Sequence, residues 1–204
     1  MTSRFEVIFQ RDEDGARAKF LSRVFGIFSE EIVRIWANHK QAPYAELVPG
    51  GRPTLKAPGE GRGHTLDFAL RHKATDQVFV VEMKCEIEYQ DFQYFVLDSP
   101  TQLEHHTKDA FRAFLAAAGD APRPKAFVKG REVAYDGAVL IWGAVTEAGR
   151  RTVMERTGLH DVLSVERICQ DLVAWESPEY AELLGKRLRW SRELFEGLNG
   201  LGTL

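Results

Sequence analysis

Cysteine is nearly absent from this sequence: Cys85 and Cys169 are the only two among 204 residues, and neither belongs to a Cys-x-x-Cys or Cys/His array. A disulfide scaffold and a zinc knuckle are therefore not expected, and a reducing cytoplasm is the predicted location. Long apolar runs are absent as well, so no membrane partner is predicted. Residues 1–15 lack an apolar core and turn acidic quickly, which is not typical of a signal peptide.

An excess of positive charge is also missing, because the formal net charge is −3. This argues against a protein that coats nucleic acid non-specifically, although a local basic surface would suffice for binding. The sequence contains no Ser-His-Asp signature and no dinucleotide fingerprint. The Gly-rich stretch 50–63 lacks the Gly-Lys-Ser/Thr ending of a phosphate loop.

Hydrophobic periodicity predicts an alternation of helices and strands, and hence an α/β sandwich with a mixed sheet. The predicted elements are a helix at Ala16–Asn38, strands at Ala45–Val48, Thr65–Arg71 and Val78–Cys85, a helix at Ser99–Gly119, a buried strand at 137–145, a helix from Thr146, a strand in 161–165 and a final helix from Ser177. The length suits a single domain over residues 1–204, with a core at about 16–145 and a helical extension at about 146–204.

Charged residues interrupt two of the predicted strands. A turn centred between Ala74 and Thr75 places Asp67 opposite Glu82, and Thr65 opposite Lys84. Because side chains alternate along strands, the three charges Asp67, Glu82 and Lys84 share one face. The other face is wholly apolar and consists of Leu66, Phe68, Leu70, Phe79, Val81 and Met83.

Two opposed carboxylates repel each other and destabilise a sheet unless a positive charge offsets them. Lys84 offsets one charge, and a divalent cation held by both carboxylates would offset more. Mg²⁺ suits such a site because it takes few protein ligands and keeps several waters. A carboxylate-bound metal beside a lysine is suited to phosphoryl chemistry. Nearby carboxylates oppose a lowered lysine pKa, so an electrostatic and positioning role is favoured for Lys84.

Asp67 followed by Glu82-x-Lys84, in a helix–three strands–helix–strand order, resembles the PD-(D/E)XK nuclease superfamily. The proline of that name is replaced by Leu66. The resemblance implies the restriction-endonuclease-like sandwich, a central mixed sheet flanked by helices with an αβββαβ core. It also implies a metal-dependent deoxyribonuclease that hydrolyses DNA phosphodiester bonds. Asp67, Glu82 and the backbone carbonyl of Met83 would bind Mg²⁺, with Mn²⁺ as a substitute, and Lys84 would position the attacking water.

Two further features of this superfamily have candidates in the sequence. Many members carry a glutamate on the first helix, and helical spacing favours Glu31 over Glu30 for the side facing the sheet. One branch carries Gln-x-x-x-Tyr on the following helix, where Gln102 and His106 stand at that spacing. Gln102 is therefore predicted to contact the site or the phosphate.

The predicted partner is DNA, double- or single-stranded, and a homodimer would suit double-strand cutting. One alternative is a catalytically silent module of the same fold that binds nucleic acid or a protein. Another is an unrelated α/β protein in which Lys84 only forms a salt bridge on an exposed sheet face.

Several neighbouring groups have two interpretations. Glu86 and Glu88 continue the strand alternation and either join the site or, as favoured, form a solvated strand end. The aromatic stretch 89–97 either stacks on bases or, as favoured, packs on the core or in a dimer. Basic residues form a DNA clamp or, as the default, ordinary solvated surface; they are Arg52, Lys56 and Arg62 in the Gly-rich stretch, and His105, His106, Lys108 and Arg112 on the second helix.

Overall fold

The computed structural model describes residues 5, 8, 9, 15–56, 62–87, 89, 92–119 and 123–200. Five strands form a mixed central sheet: β1 (Tyr44–Glu46), β4 (Phe68–His72), β5 (Val78–Lys84), β9 (Gly137–Trp142) and β11 (Asp161–Ser164), in the order β1-β4-β5-β9-β11. The first three strands pair antiparallel, whereas β5, β9 and β11 run parallel. A parallel step requires a crossover, so the chain leaves the sheet between β5 and β9 and again before β11.

A second, antiparallel sheet stands beside the first. Its strands are β3 (His64–Thr65), β2 (Pro53–Lys56), β7 (Lys125–Val128) and β8 (Arg131–Val133), in that order. A short parallel pair, β6 (Val96–Leu97) and β10 (Ala144–Val145), completes the strands of the described residues. Strand β2 lies in the Gly-rich stretch, whose composition is typical of a loop or a loose β-connection. Its four residues pair with β7, and two of them also pair with β3.

Helices cover both faces of the central sheet. They are α1 (Gly15–Asn38), α2 (Asp109–Ala118), α3 (Glu147–Thr157), α4 (Val165–Ala174) and α5 (Pro178–Leu198), with one 3₁₀ turn at Pro100–Leu103. On one face, α1, α4 and the start of α5 pack on Phe68, Phe79 and Val81. On the other face, α2 and α3 pack on Val80 and Trp142. Since both faces are buried, any charged side chain on β5 must lie at an opening in this packing.

The predicted α/β architecture with a mixed sheet and flanking helices is therefore present. Helix α1 and strands β5 and β9 begin and end within a few residues of the predicted bounds. The predicted helix at Ser99–Gly119 is wrong as a continuous element. It is a 3₁₀ turn followed by a separate α2, and residues 104–108 between them carry two histidines.

The predicted helical extension is also more than an appendage. It supplies β11 as the fifth strand of the central sheet, and α4 buries Val165, Ile168 and Leu172 against the sheet. The second half of α5 is exposed, including Leu188, Leu194 and Leu198. None of the described helices combines the length and apolar character that a bilayer span requires.

Candidate functional site

The chain bends at Asp67, where it passes from one sheet to the other. The backbone N–H of Leu66 donates to Pro53 in β2, whereas that of Asp67 donates to Val81 in β5. Leu66 therefore packs in the core beneath α2, and Phe68 in the core beneath α1. The prediction that both share one face is wrong, because the bend interrupts the strand alternation.

The predicted register nevertheless holds on the other side of this bend. Phe68 pairs with Val81, which is the pairing that places Asp67 beside Glu82. Thr65 does not lie opposite Lys84; it pairs with Thr54 in the second sheet. The two carboxylates are close enough that the charge of Asp67 contributes to the pKa of Glu82.

Both oxygens of the Asp67 carboxylate accept hydrogen bonds. Oδ2 accepts from the backbone N–H of Met83 at 2.8 Å, and Oδ1 accepts from Arg52 at 2.6 Å. The Met83 N–H lies beyond the end of the β4 ladder, so the carboxylate replaces a strand partner. Arg52 also donates to the Leu66 carbonyl at 3.1 Å. These bonds fix Asp67, whose side chain is only 13% exposed, at the bend.

Glu82 is the most buried carboxylate of the group, with 9% of its side chain exposed. The ammonium of Lys84 donates to its Oε1 and lies 3.4 Å from the Met83 carbonyl oxygen. Burial raises the pKa of Glu82; Lys84 opposes this rise and the charge of Asp67 adds to it. The lysine thus offsets only part of the cost of a buried charge.

This group of donors fits a hard divalent cation. Two carboxylates and the Met83 carbonyl are oxygen ligands, and Mg²⁺ takes one or two carboxylates together with waters. Burial disfavours the ionised form of Glu82 in the absence of a further positive charge. A cation at this position would provide that charge, although it would share Asp67 with Arg52.

The structure places Glu31 away from the carboxylate pair. Glu31 is exposed and accepts a 2.5 Å hydrogen bond from Arg187 of α5. Glu30 lies nearer, 4.0 Å from Arg52, which in turn holds Asp67. The prediction that Glu31 faces the sheet is therefore wrong in placement, because α4 and α5 also pack on α1 and set its rotation.

Gln102 is buried, but its polar atoms bind the local backbone. Its Oε1 accepts from the N–H groups of Asp98 and Ser99, and its Nε2 donates to the Val96 carbonyl at 2.9 Å. Gln102 thereby forms a capping box with Ser99 as N-cap. The three bonds give Gln102 a structural role, and it is not among the residues that line the cleft with Glu82 and Lys84.

A cleft of about 440 Å³ opens beside β5 and contains Glu82 and Lys84. It is also lined by Glu86, His105, His106, Thr107, Lys108, Ala110 and Phe111. The favoured interpretation of Glu86 as a solvated strand end is wrong, because its side chain is 11% exposed and contacts both histidines. Glu88, its companion in that interpretation, lies outside the described residues.

The aromatic stretch and the basic residues near the site also have defined positions in the fold. Phe92 and Phe95 of the aromatic stretch are buried in the core. Arg52 immediately precedes β2, and Lys56 is its last residue. Residues 57–61 lie outside the described part of the chain. Burial raises the pKa of Cys85 to about 12, so its thiol is protonated at neutral pH and is not a ready nucleophile.

Comparisons with known proteins were made for the whole chain. No protein-family model, curated protein or solved structure matches the chain. The function must therefore be argued from the chemistry of the residues that the fold brings together.

Proposed function

We propose that the protein is a metal-dependent nuclease of restriction-endonuclease-like fold, which hydrolyses DNA phosphodiester bonds. The observation that carries the proposal is the juxtaposition of Asp67, Glu82 and Lys84, of which Glu82 and Lys84 line the cleft beside β5. The strand order β1-β4-β5-β9, with α1 before it and α2 between β5 and β9, supports the αβββαβ core.

Asp67, Glu82 and the Met83 carbonyl would hold a Mg²⁺ or Mn²⁺ ion. Bound there, the ion would polarise the phosphate and lower the pKa of a water. Lys84 reaches Glu82 and the Met83 carbonyl, so its ammonium can also donate to the attacking water or to a phosphate oxygen. The Asp67–Met83 bond keeps the first carboxylate in place before any substrate arrives.

Arg52 links this site to a basic surface. Its guanidinium binds Asp67 and also lines a shallow pocket with Lys56 and Lys129. Basic side chains beside a carboxylate site are suited to holding the DNA backbone, while the carboxylates act on one phosphate. DNA is accordingly the proposed substrate.

The proposal is tested by incubating plasmid and single-stranded DNA with Mg²⁺ or Mn²⁺ and comparing variants. Asp67→Asn and Lys84→Ala are each expected to reduce cleavage by about 100-fold or more, because each removes a group that acts on the developing charge. Asp76→Asn is the matched control, since Asp76 is an 83% exposed aspartate in the turn of the same hairpin. Cleavage that persists in both site variants would overturn the proposal.

The ion pair between Arg52 and Asp67 gives the silent-module alternative a specific form. At 2.6 Å, the guanidinium occupies one carboxylate oxygen that a metal would use. If this pairing is permanent, the fold binds DNA without cutting it. Melting with and without Mn²⁺ separates the two cases, because a ligand that binds only the folded state raises the melting temperature. DNA binding without cleavage or Mn²⁺ stabilisation would favour the silent module.

A further inference from the structure

Three side chains converge in the cleft beyond Lys84. The Glu86 oxygens lie 3.0 Å from the Nε2 atom of His105 and 3.0 Å from that of His106. The ligand-capable atoms of all three residues lie within 4.8 Å of one another. Two imidazoles and a carboxylate are thus gathered from the end of β5 and from the segment between the 3₁₀ turn and α2.

The hydrogen bonding of this cluster is incomplete. The His106 Nε2 atom is buried and, despite its 3.0 Å separation from Glu86, has no hydrogen-bond geometry with any described residue. The Nδ1 atom of His105 is likewise buried without a described partner. Buried polar atoms are almost always hydrogen-bonded, so a nitrogen 3.0 Å from a carboxylate oxygen without hydrogen-bond geometry calls for an explanation.

Aromatic packing holds both histidine rings, and His105 is in addition hydrogen-bonded to Glu86. His105 stacks on Tyr89 with ring centroids 4.0 Å apart, and the two histidine rings lie 3.9 Å apart. His106 also packs against Phe111 at 4.7 Å. Glu86 adopts a positive φ of 49°, which is uncommon for a residue with a side chain and is often found at functional sites.

We propose that Glu86, His105 and His106 bind a divalent transition-metal ion of the Zn²⁺ class. Two imidazoles and one carboxylate are a common ligand set for a zinc site that keeps its fourth position open. A tetrahedral ion with ligands at ~2.0–2.1 Å holds those ligands ~3.3 Å apart. This separation lies between the 3.0 Å contacts, which different Glu86 oxygens make, and the 4.8 Å within which one ligand atom of each residue falls. The ion would take up the lone pair of His106, and its open position would face the cleft.

This site differs chemically from the neighbouring pair of carboxylates, of which Glu82 lines the same cleft. Asp67 and Glu82 offer only oxygen, which suits Mg²⁺, whereas imidazole nitrogen favours Zn²⁺ and its neighbours in the first transition row. A proton shared within the cluster is the competing explanation. Burial by itself raises the pKa of Glu86. His106 and His105 outweigh burial and hold this pKa below its usual range, as they would in an ion pair. The Zn²⁺ site and the proposed nuclease centre use different residues, so an experiment can disprove one without the other.

The experiment uses the full chain, freed of metal by a chelator and titrated with Co²⁺ or Zn²⁺. Binding of one equivalent of Co²⁺ should give visible d–d absorption, and Zn²⁺ should raise the melting temperature. His106→Gln and Glu86→Gln are each expected to lower the affinity by about 100-fold or more, because even the loss of a supporting residue costs 10–100-fold. His160→Gln is the control, since His160 is exposed and stacks on Phe79 outside the cluster.

Asp67→Asn should leave Co²⁺ binding unchanged, which separates this site from the proposed nuclease centre. His105→Gln provides a third ligand variant if either of the others fails to fold, as judged by circular dichroism without metal. The proposal is overturned if the folded ligand variants bind Co²⁺ as tightly as the wild type. Displacement of Co²⁺ by equimolar Mg²⁺ would also overturn it, because the ion would then occupy oxygen ligands.

Discussion

At the scale of single residues, Glu82 is a carboxylate in a buried position, where a negative charge is energetically unfavourable. Its pKa is raised by burial and by Asp67, and Lys84 offsets this only in part. The contribution of Glu82 to folding is therefore fully present below its ordinary pKa of 4.5 and is lost as the pH rises through the higher folded value. Such a residue is retained at a cost in stability, as is common in functional sites.

Glu82→Gln should consequently be more stable than the wild type at pH 8, because glutamine cannot ionise. The difference in melting temperature should shrink as the pH falls towards 4, where Glu82 becomes protonated. Thermal denaturation of both proteins at pH 4, 6 and 8 measures it, with the exposed Glu155→Gln on α3 as the control. A difference that stays constant or grows towards low pH would contradict the role assigned to burial.

Some residues of the site could be grouped from the sequence, and others could not. Asp67, Glu82 and Lys84 could be grouped because a hairpin with a short turn fixes its register locally. Arg52 could not be assigned to Asp67, because the two meet only through the pairing of β2 with β3. Glu86 with His105 and His106 was missed for a similar reason. The periodicity of the sequence indicates neither the positive φ of Glu86 nor the interruption between the 3₁₀ turn and α2.

At the scale of elements, the start of α3 is pressed against the end of β6. A Cβ atom on Gly149 would lie 2.5 Å from the Leu97 carbonyl oxygen and 2.5 Å from the Cα of Asp98. Both are backbone atoms, so the neighbour cannot rotate away. The glycine therefore lets the helix approach the connection that leads into the 3₁₀ turn, whose capping box holds Gln102.

Gly149→Ala is expected to destabilise the protein by about 1–3 kcal/mol, the usual cost of overpacking. Gly185→Ala on α5 is the matched control, because nothing lies within 4 Å of its added Cβ. In that exposed helix, alanine should stabilise by about 0.5–1 kcal/mol. Urea denaturation of the two variants should give shifts of opposite sign, and a neutral Gly149→Ala would contradict the close approach.

Element bounds were predictable where a single periodicity runs unbroken, as in α1, β5 and β9. The prediction failed where tertiary contacts override local pattern. The strand predicted at Thr65–Arg71 is divided because its first residues pair with β2 in the other sheet. The β7–β8 hairpin was missed, and β2 was not separated from a loop, since short strands gain their stability from partners distant in sequence.

At the scale of the whole molecule, a net charge of −3 conceals an uneven distribution. Glu82 and Glu86 line the cleft beside β5, whereas Arg52, Lys56 and Lys129 line one pocket at the second sheet without a carboxylate. If this surface holds the DNA backbone, binding should depend on salt through the release of counterions. A homodimer remains a prediction.

Lys56→Gln and Lys129→Gln should each weaken duplex DNA binding similarly for unrelated sequences. Each should reduce the slope of log affinity against log salt concentration by about 0.9, provided that the lysine contacts one phosphate. The measurement is fluorescence anisotropy at several salt concentrations, in an Asp67→Asn background so that the DNA is not cut. Lys186→Gln on α5 is the control; an equal change there would show that only net charge matters.

The sequence by itself determined the mixed α/β architecture and the grouping of Asp67, Glu82 and Lys84, because strand alternation and a short hairpin are local properties. The tertiary structure alone decided that Arg52 holds Asp67, that Glu30 rather than Glu31 lies towards the site, and that Glu86 meets two histidines. These outcomes depend on how helices and sheets rotate and bend against one another. Packing of segments distant in sequence sets those rotations, and no local repeat encodes them.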